Sequence, residues 1–396
     1  MKDIAFIIAE YDPFHNGHAR QIEQTRAAGA QYVVCILSGN FVQRGDIAMC
    51  DKMIRAEMAL AGGADLILEN PLKYVLSGAT YFARGGVETI LHSGLEGTLS
   101  FGASASAEQL ISLSAMLREP ETEEKIYSHA RTRHIPLAYA VQHVAEKIAP
   151  EAAGLLKDPN NVLALEYIAA AAGEPSIDFF AVPRTTVLHD AISHEGRFAS
   201  GKTIRQLLRS DSDAAAVFLP ASTRGILTAA TEKGSCPSVR DAYSAVSFGR
   251  LLSLTREELV AVNGITEGLE NRLLDEIKKQ TSLQDLYDAV KTKRFTHARI
   301  RQAVVSAVLG VKKADLAREN PYLRVLGFND RGQELLHEMR AQSRCPIVMN
   351  LSQAPLSHER TLDAFAGKIF DLCRPVPFGG AVEYRAKPVI VHTKAR

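Results

Sequence analysis

A six-residue apolar run, Ile4–Ala9, stands between Asp3 and Glu10 and leads through a turn into helix-forming sequence. No other feature constrains the fold as strongly. A run this short, bounded by charge, reads as a buried strand. Pro13 restricts the turn that follows, and Gly17–Ala28 carries helix formers. The unit then repeats. Gln31–Leu37 reads as a second strand, Lys52–Ala61 as a helix, Asp65–Glu69 and Thr98–Phe101 as the third and fourth strands, and Ser176–Val182 as a fifth. Helical sequence fills most of 105–172. Strands alternating with helices build a parallel α/β sheet. The predicted fold is a doubly wound parallel sheet of Rossmann-like type, with ligands beyond the carboxyl ends of its strands.

The pattern changes after residue 210. Residues 211–320 show helical periodicity, as at Ala242–Leu252, Glu257–Val262, Glu270–Lys279 and Arg299–Leu309. Residues 321–396 are mixed, with short strands predicted at Ile347–Asn350 and Pro388–His392. The predicted division is an α/β domain over 1–210 and a mainly α-helical region over 211–396. Charge follows the same division. The whole chain has 46 basic and 45 acidic side chains, but residues 1–210 hold 19 and 24 of them, a net of −5. Residues 211–396 hold 27 and 21, a net of +6. The overall balance therefore hides a basic half suited to a polyanion.

Other classes are excluded. No apolar run approaches the ~20 residues of a membrane span, and the apolar stretch at the N-terminus is too short for a signal-peptide core. The five cysteines are scattered, with no C-x-x-C pair, so neither a zinc site nor a disulfide framework is indicated. A reducing cytoplasm is the expected compartment.

Chemistry concentrates in Glu10-Tyr11-Asp12-Pro13-Phe14-His15-Asn16-Gly17-His18, between the first strand and the first helix. A helix N-terminus there favours phosphate, and Gly17 permits close approach to the backbone. His15 and His18 share a helix face. In phosphoryl or nucleotidyl transfer, fixed donors aimed at the phosphate oxygens lower the barrier by roughly 3 kcal/mol each. The segment resembles the H-x-G-H signature of the nucleotidylyltransferase superfamily. A second element, Ser200-Gly201-Lys202-Thr203-Ile204-Arg205, resembles that superfamily's S-x-x-x-I-R phosphate turn. Ser200 and Thr203 can cap the helix, while Lys202 and Arg205 can hold the β- and γ-phosphates.

Longer strings narrow the resemblance. They are Ser38–Gly45 (SGNFVQRG), Phe82–Gly85 (FARG), Phe101–Ser104 (FGAS), Pro159–Ala164 (PNNVLA), Lys291–Thr296 (KTKRFT) and Tyr322–Gly327 (YLRVLG). With the first motif, they are similar to the bacterial tRNA(Met) cytidine acetate ligase family. That resemblance implies a ligase which activates acetate with ATP, releases pyrophosphate, and passes the acetyl group to the wobble cytidine of elongator tRNA(Met), giving N4-acetylcytidine. It implies that Ile7, Glu10, Tyr11, Asp12, Pro13, Phe14, His15, Asn16, Gly17 and His18 surround ATP, with His15 and His18 catalytic. Gly102, Asn160 and Arg184 match further ATP positions. Magnesium is expected with ATP, although no ligand cluster is assigned. The chain departs from the family at Asp12, where Asn is common, and at Gly201-Lys202, where the turn is usually richer in Ser and Thr.

Gln43 and Arg44 follow the second strand and form a possible substrate loop. Lys52 and Arg55 lie beyond them, as ligand contacts or as a solvated helix face. Residues 291–301 hold five cations and no acid. Lys291, Lys293, Arg294, Arg299 and Arg301 are the predicted tRNA contacts, with Phe295 either stacking on a base or lying in the core. Two other functions fit parts of the sequence. One is an adenylyltransferase acting on a small phosphorylated metabolite, against which the large basic region argues. The other is a non-catalytic RNA-binding protein, against which the intact His15, Gly17 and His18 argue. The sequence carries no membrane partner and no signal for oligomeric state.

Overall fold

The computed structural model describes residues 1–133, 135, 137–184, 196–266, 268–292 and 294–392. Strand β1 (Ile4–Ala9) runs through the middle of the main sheet. Phe6 and Ile8 join the apolar cluster on one face and Ile7 the cluster on the other. A strand covered on both faces reads as a continuous apolar run. β2 (Tyr32–Ser38) pairs with it in parallel, Ile4 opposite Tyr32 and Ala9 opposite Leu37. The chain then forms a small antiparallel hairpin of β3 (Phe41–Val42) and β4 (Asp46–Ile47). It returns through the Lys52–Ala61 helix to β5 (Leu66–Asn70). β6 (Gly97–Ala103) takes the other side of β1, and β7 (Ile177–Pro183) pairs outside it.

These five strands are parallel, in the order β5-β2-β1-β6-β7. The winding direction reverses between β1 and β6. The crevice beyond their carboxyl ends is the switch point at which doubly wound sheets bind ligands. The predicted fold class holds, with strand limits displaced by a residue or two.

The sheet does not respect the predicted division at residue 210. β8 (Leu323–Asn329) pairs antiparallel with β5, and both β9 (Ile347–Val348) and β10 (Val389–Val391) run parallel to β8. Two of these fall at the strands expected near Ile347–Asn350 and Pro388–His392, and β8 is the one the sequence did not announce; three strands of the 211–396 region thus complete the sheet. The physical reason is the β5 edge, whose unpaired N–H and C=O groups β8 satisfies. Arg324 interrupts the apolar pattern of β8 and concealed it in the sequence, although Leu323, Val325 and Leu326 are all buried.

Helices from Arg240 to Leu309 enclose a further core, which includes Leu259, Leu286, Ile300 and Val304. Phe41 and Ile47 belong to that same core. The β3–β4 hairpin is therefore the joint between sheet and helices. Among the described residues, no helix is long and apolar enough to cross a membrane.

Candidate active site

The loop leaving β1 is held from several sides. Tyr11 has a φ of 46°, in the left-handed region, which turns the chain sharply out of the strand. Its ring meets Phe14 edge-on at 4.9 Å and lies 4.7 Å from His18. Phe14 is fully buried, and a Cβ at Gly62 would sit 2.3 Å from its ring. Asp12 Oδ1 accepts the Met49 N–H at 2.7 Å. Pro13 and Ile7 are buried as well. Asn16 begins the Asn16–Ala27 helix, and its amide donates to Arg197 O at 2.9 Å and Val217 O at 3.0 Å. Tyr11, Phe14 and Asn16 thus support the loop with their side chains.

His15 and His18 remain at the mouth of this scaffold. His15 caps the helix, its Nδ1 accepting Gly17 N–H at 3.1 Å. A Cβ at Gly17 would lie 3.0 Å from the His15 ring, so glycine leaves the ring in contact with the helix start. His18 Nδ1 accepts the His15 N–H at 3.2 Å. The two rings stack at 3.6 Å, with 16° between their planes. A neutral imidazole whose Nδ1 accepts must carry its proton on Nε2, an assignment made from the hydrogen bonds. Burial, together with His15 and Arg184, holds the His18 pKa well below the ordinary histidine value. His18 is therefore a neutral N–H donor at physiological pH.

The second motif faces the first. Ser200 caps the Gly201–Ser210 helix, its Oγ accepting Thr203 N–H at 3.1 Å. A Cβ at Gly201 would lie 4.0 Å from His15 Nε2, so the two helix N-termini converge on one space. Both bring positive partial charge to it. Arg205 reaches across, donating to Asp12 O at 2.6 Å with Asp12 Oδ2 at 3.6 Å. Lys202 is exposed at the helix start.

On the β6 side, Gly102 lies beneath Arg184, whose Cγ would be 3.3 Å from a Cβ placed there. Arg184 donates to Asn160 Oδ1 at 2.5 Å, and Asn160 Nδ2 donates to Asp158 Oδ1 at 2.9 Å. Gly102, Asn160 and Arg184 thus meet as one unit, and the influence of Arg184 on His18 places it at the same crevice. On the β2 side, Glu10 Oε1 accepts Gln43 N–H at 2.5 Å. Burial raises the Glu10 pKa, the Gln43 bond opposes this, and Asp12 adds to it. Arg44 is exposed at the tip of the hairpin.

Two residues left open by the sequence are resolved as buried framework. Arg55 is 0% exposed and donates to the carbonyls of Cys50, Glu10 and Gly39. It clasps the ends of β1 and β2, a role its helical context gave no sign of. Lys52 Nζ lies 2.9 Å from both Glu69 and Glu383. Burial opposes its charge, but Glu383 and Glu69 outweigh burial and raise its pKa. Neither residue is on a solvated face.

In the basic segment, Lys291 and Arg294 are exposed, whereas Phe295 is buried in the helical core. Arg299 lies over the Phe295 ring and donates to Thr266, and Arg301 lies over Tyr287. Lys293 lies outside the described residues. Among the described residues, no group of three or more His, Cys, Asp or Glu side chains is arranged to hold a metal ion.

Residues 1–378 match the family model described as HIGH Nucleotidyl Transferase. A tRNA(Met) cytidine acetate ligase of Thermoanaerobacter sp. (strain X514) is 32% identical over 381 residues, covering 92% of this chain and 94% of that protein. A protein of the same name from Listeria monocytogenes serotype 4b (strain CLIP80459) is 32% identical over 356 residues, covering 88% of this chain and 90% of its own. The crystal structure of Thermotoga maritima TmcAL in its apo form superposes with a TM-score of 0.93 at 27% identity, covering 99% of this chain and 100% of that one. The structure of the same protein bound with alpha-thio ATP gives 0.91 at 26%, with the same coverage.

Proposed function

Because this chain belongs to the HIGH nucleotidyl transferase family, we propose that it is an ATP-dependent ligase which acetylates the wobble cytidine of elongator tRNA(Met) to N4-acetylcytidine. The observation that carries this reading is the full-length similarity to tRNA(Met) cytidine acetate ligases, joined to a stacked His15–His18 pair at the switch point of the sheet.

In the first step an acetate oxygen attacks the α-phosphorus of ATP, and pyrophosphate leaves with the electrons of the broken P–O bond. The Nε2–H groups of His15 and His18 donate to phosphate oxygens as negative charge builds on them. Lys202 and Arg205 meet the outer phosphates, at a place both helix N-termini favour. Gly102 leaves room for the nucleoside beside Arg184, and Asn160 orients that guanidinium. In the second step the cytidine N4 amine attacks the acetyl carbon and gives up a proton to solvent, and AMP leaves with the electrons of the broken C–O bond. Magnesium bound with the nucleotide would help neutralise charge on the phosphates. The basic region beyond residue 210 grips the tRNA while the α/β region carries the chemistry. The five free cysteines suit a reducing cytoplasm.

The test is incubation with ATP, labelled acetate and elongator tRNA(Met), omitting each in turn. Acid-stable label in the tRNA, dependent on ATP, is the expected result. Pyrophosphate release with a nucleotide metabolite but no labelled tRNA would favour the adenylyltransferase reading. Binding of tRNA without either reaction would favour a non-catalytic role.

A further inference from the structure

The basic segment and the nucleotide site are joined by arginines contributed by four separate parts of the chain. Gly45, at the tip of the β3–β4 hairpin, has a φ of 74°, and a Cβ there would lie 2.3 Å from Gln302 N and 2.5 Å from Arg301 C. The tip therefore rests directly on the His297–Leu309 helix. Gln302 Nε2 donates to Gln43 O at 2.6 Å, and Gln43 N–H in turn reaches Glu10. This seam connects the first motif to the basic helix through one hairpin. Arg44 stands exposed on it. Asp46, on the returning strand, pairs with Arg240, whose side chain is still 44% exposed. Arg209, one helical turn beyond Arg205, donates to Ser238 O at 3.2 Å and is exposed.

We propose that Arg44, Arg209, Arg240 and Arg301 form a phosphate track that carries the backbone of a single-stranded RNA loop from the basic helix to the nucleotide site. Five arginines, counting Arg205, face Asp12, Asp46 and Glu10 along this seam, so positive charge is in excess. Burial first, then Arg240, lowers the Arg209 pKa; Asp12 and Asp46 oppose this, and Arg205 adds to it, so Arg209 has like-charged neighbours that two carboxylates only partly offset. An anion between these guanidiniums relieves that repulsion. Guanidinium forks suit phosphate oxygens. A loop rather than a duplex fits the seam, because an exocyclic base amine reaches a reacting centre only when its base is unpaired. The track rests on the ligase reading above and adds the route by which the RNA reaches the site.

The test is equilibrium binding of transcribed elongator tRNA(Met) from about 50 to 300 mM KCl. The proteins are the wild type, R209Q, R209Q/R240Q, R209K/R240K and R131Q, a control on an exposed helix far from the seam. Removing one cation that neutralises a phosphate flattens the slope of log K against log[salt] by about 0.7–0.9. R209Q/R240Q is expected to flatten it by about 1–2 and to weaken binding at least fivefold at about 100 mM salt. The lysine pair is expected to recover most of that affinity, and R131Q to match the wild type. Affinity and slope unchanged in both glutamine variants would overturn the track, and R209Q alone decides the matter if the double variant does not fold. Acetylation by the wild type, run in parallel, judges the ligase reading separately. Failure there sinks that reading, whereas an unchanged salt slope sinks only the track.

Discussion

His15 and His18 stack with ring centroids 3.6 Å apart, and each turns its Nδ1 to a backbone N–H, that of Gly17 and that of His15 itself. The pairing fixes the tautomer of both rings and leaves Nε2 as the donor. His18→Asn keeps a short acceptor near the His15 N–H and removes the Nε2 donor. Losing one donor to a developing oxyanion costs about 10²–10³ in rate. Acetate-dependent exchange of pyrophosphate into ATP is expected to fall by that factor, with tRNA affinity within about twofold of the wild type. Undiminished exchange would remove His18 from the phosphate role.

The same burial gives a pH signature. The His18 pKa is depressed in the folded protein, while an unfolded histidine titrates near 6.5. Below about pH 6.5 the unfolded chain binds a proton that the folded site refuses, so the stability linked to His18 is present above that pH and lost as pH falls. The loss is at most about 1.4 kcal/mol per pH unit. Between pH 7 and pH 5 the melting temperature of the wild type is expected to drop more than that of His18→Asn. Equal drops would mean that the ring becomes protonated in place. Because His18 stays neutral throughout, adenylate formation between pH 6 and 8 should show no histidine ionisation from this residue.

How much of this was readable in the sequence depends on the range of the interaction. β1 and its turn were legible because strand, Pro13, Gly17 and both histidines are neighbours in the chain. Arg205 was legible as a helix-start cation, but its bond to Asp12 O spans 193 residues. β8 was concealed because Arg324 sits in an otherwise apolar run, although it is only 3% exposed. The buried roles of Arg55 and Lys52, which the sequence left open between ligand contact and solvated face, were hidden because their partners, the Glu10 and Gly39 carbonyls and the Glu383 carboxylate, come from other elements. Local pattern fixes a turn or a cap. It says nothing of a long side chain whose counter-charge lies beyond the next fold boundary.

Lys52 tests that point. Its ammonium lies between Glu69 and Glu383, which come from opposite ends of the chain. Lys52→Met removes the ammonium that pairs with both carboxylates, leaving the buried Arg324 as the neighbouring cation, and breaking a buried pair in this way costs about 3–5 kcal/mol. Burial already raises the Glu383 pKa, with Lys52 opposing it. Without Lys52 that carboxyl binds its proton more tightly when folded than unfolded, so the variant loses stability as pH rises and regains part of it toward pH 5. Urea denaturation at pH 7 and pH 5 measures both effects. A deficit below about 1 kcal/mol at pH 7 would show that the cluster tolerates the missing charge.

The basic segment is expected to bind RNA through its cations. Arg294 is exposed, whereas Arg299 is set over Phe295 and donates to Thr266. Phe295 itself is buried in the helical core and is not available to stack on a base. Affinity at this surface should therefore come from charge, and should be strongly salt-dependent. Arg294→Glu with Arg299→Glu replaces two cations by two anions. At fixed salt, tRNA affinity is expected to fall at least about tenfold, with a shallower salt dependence. Phe295→Leu, which preserves an apolar side chain in the core, should leave affinity within about twofold. If the charge-reversed variant also binds within about twofold of the wild type, the RNA surface lies elsewhere on the molecule.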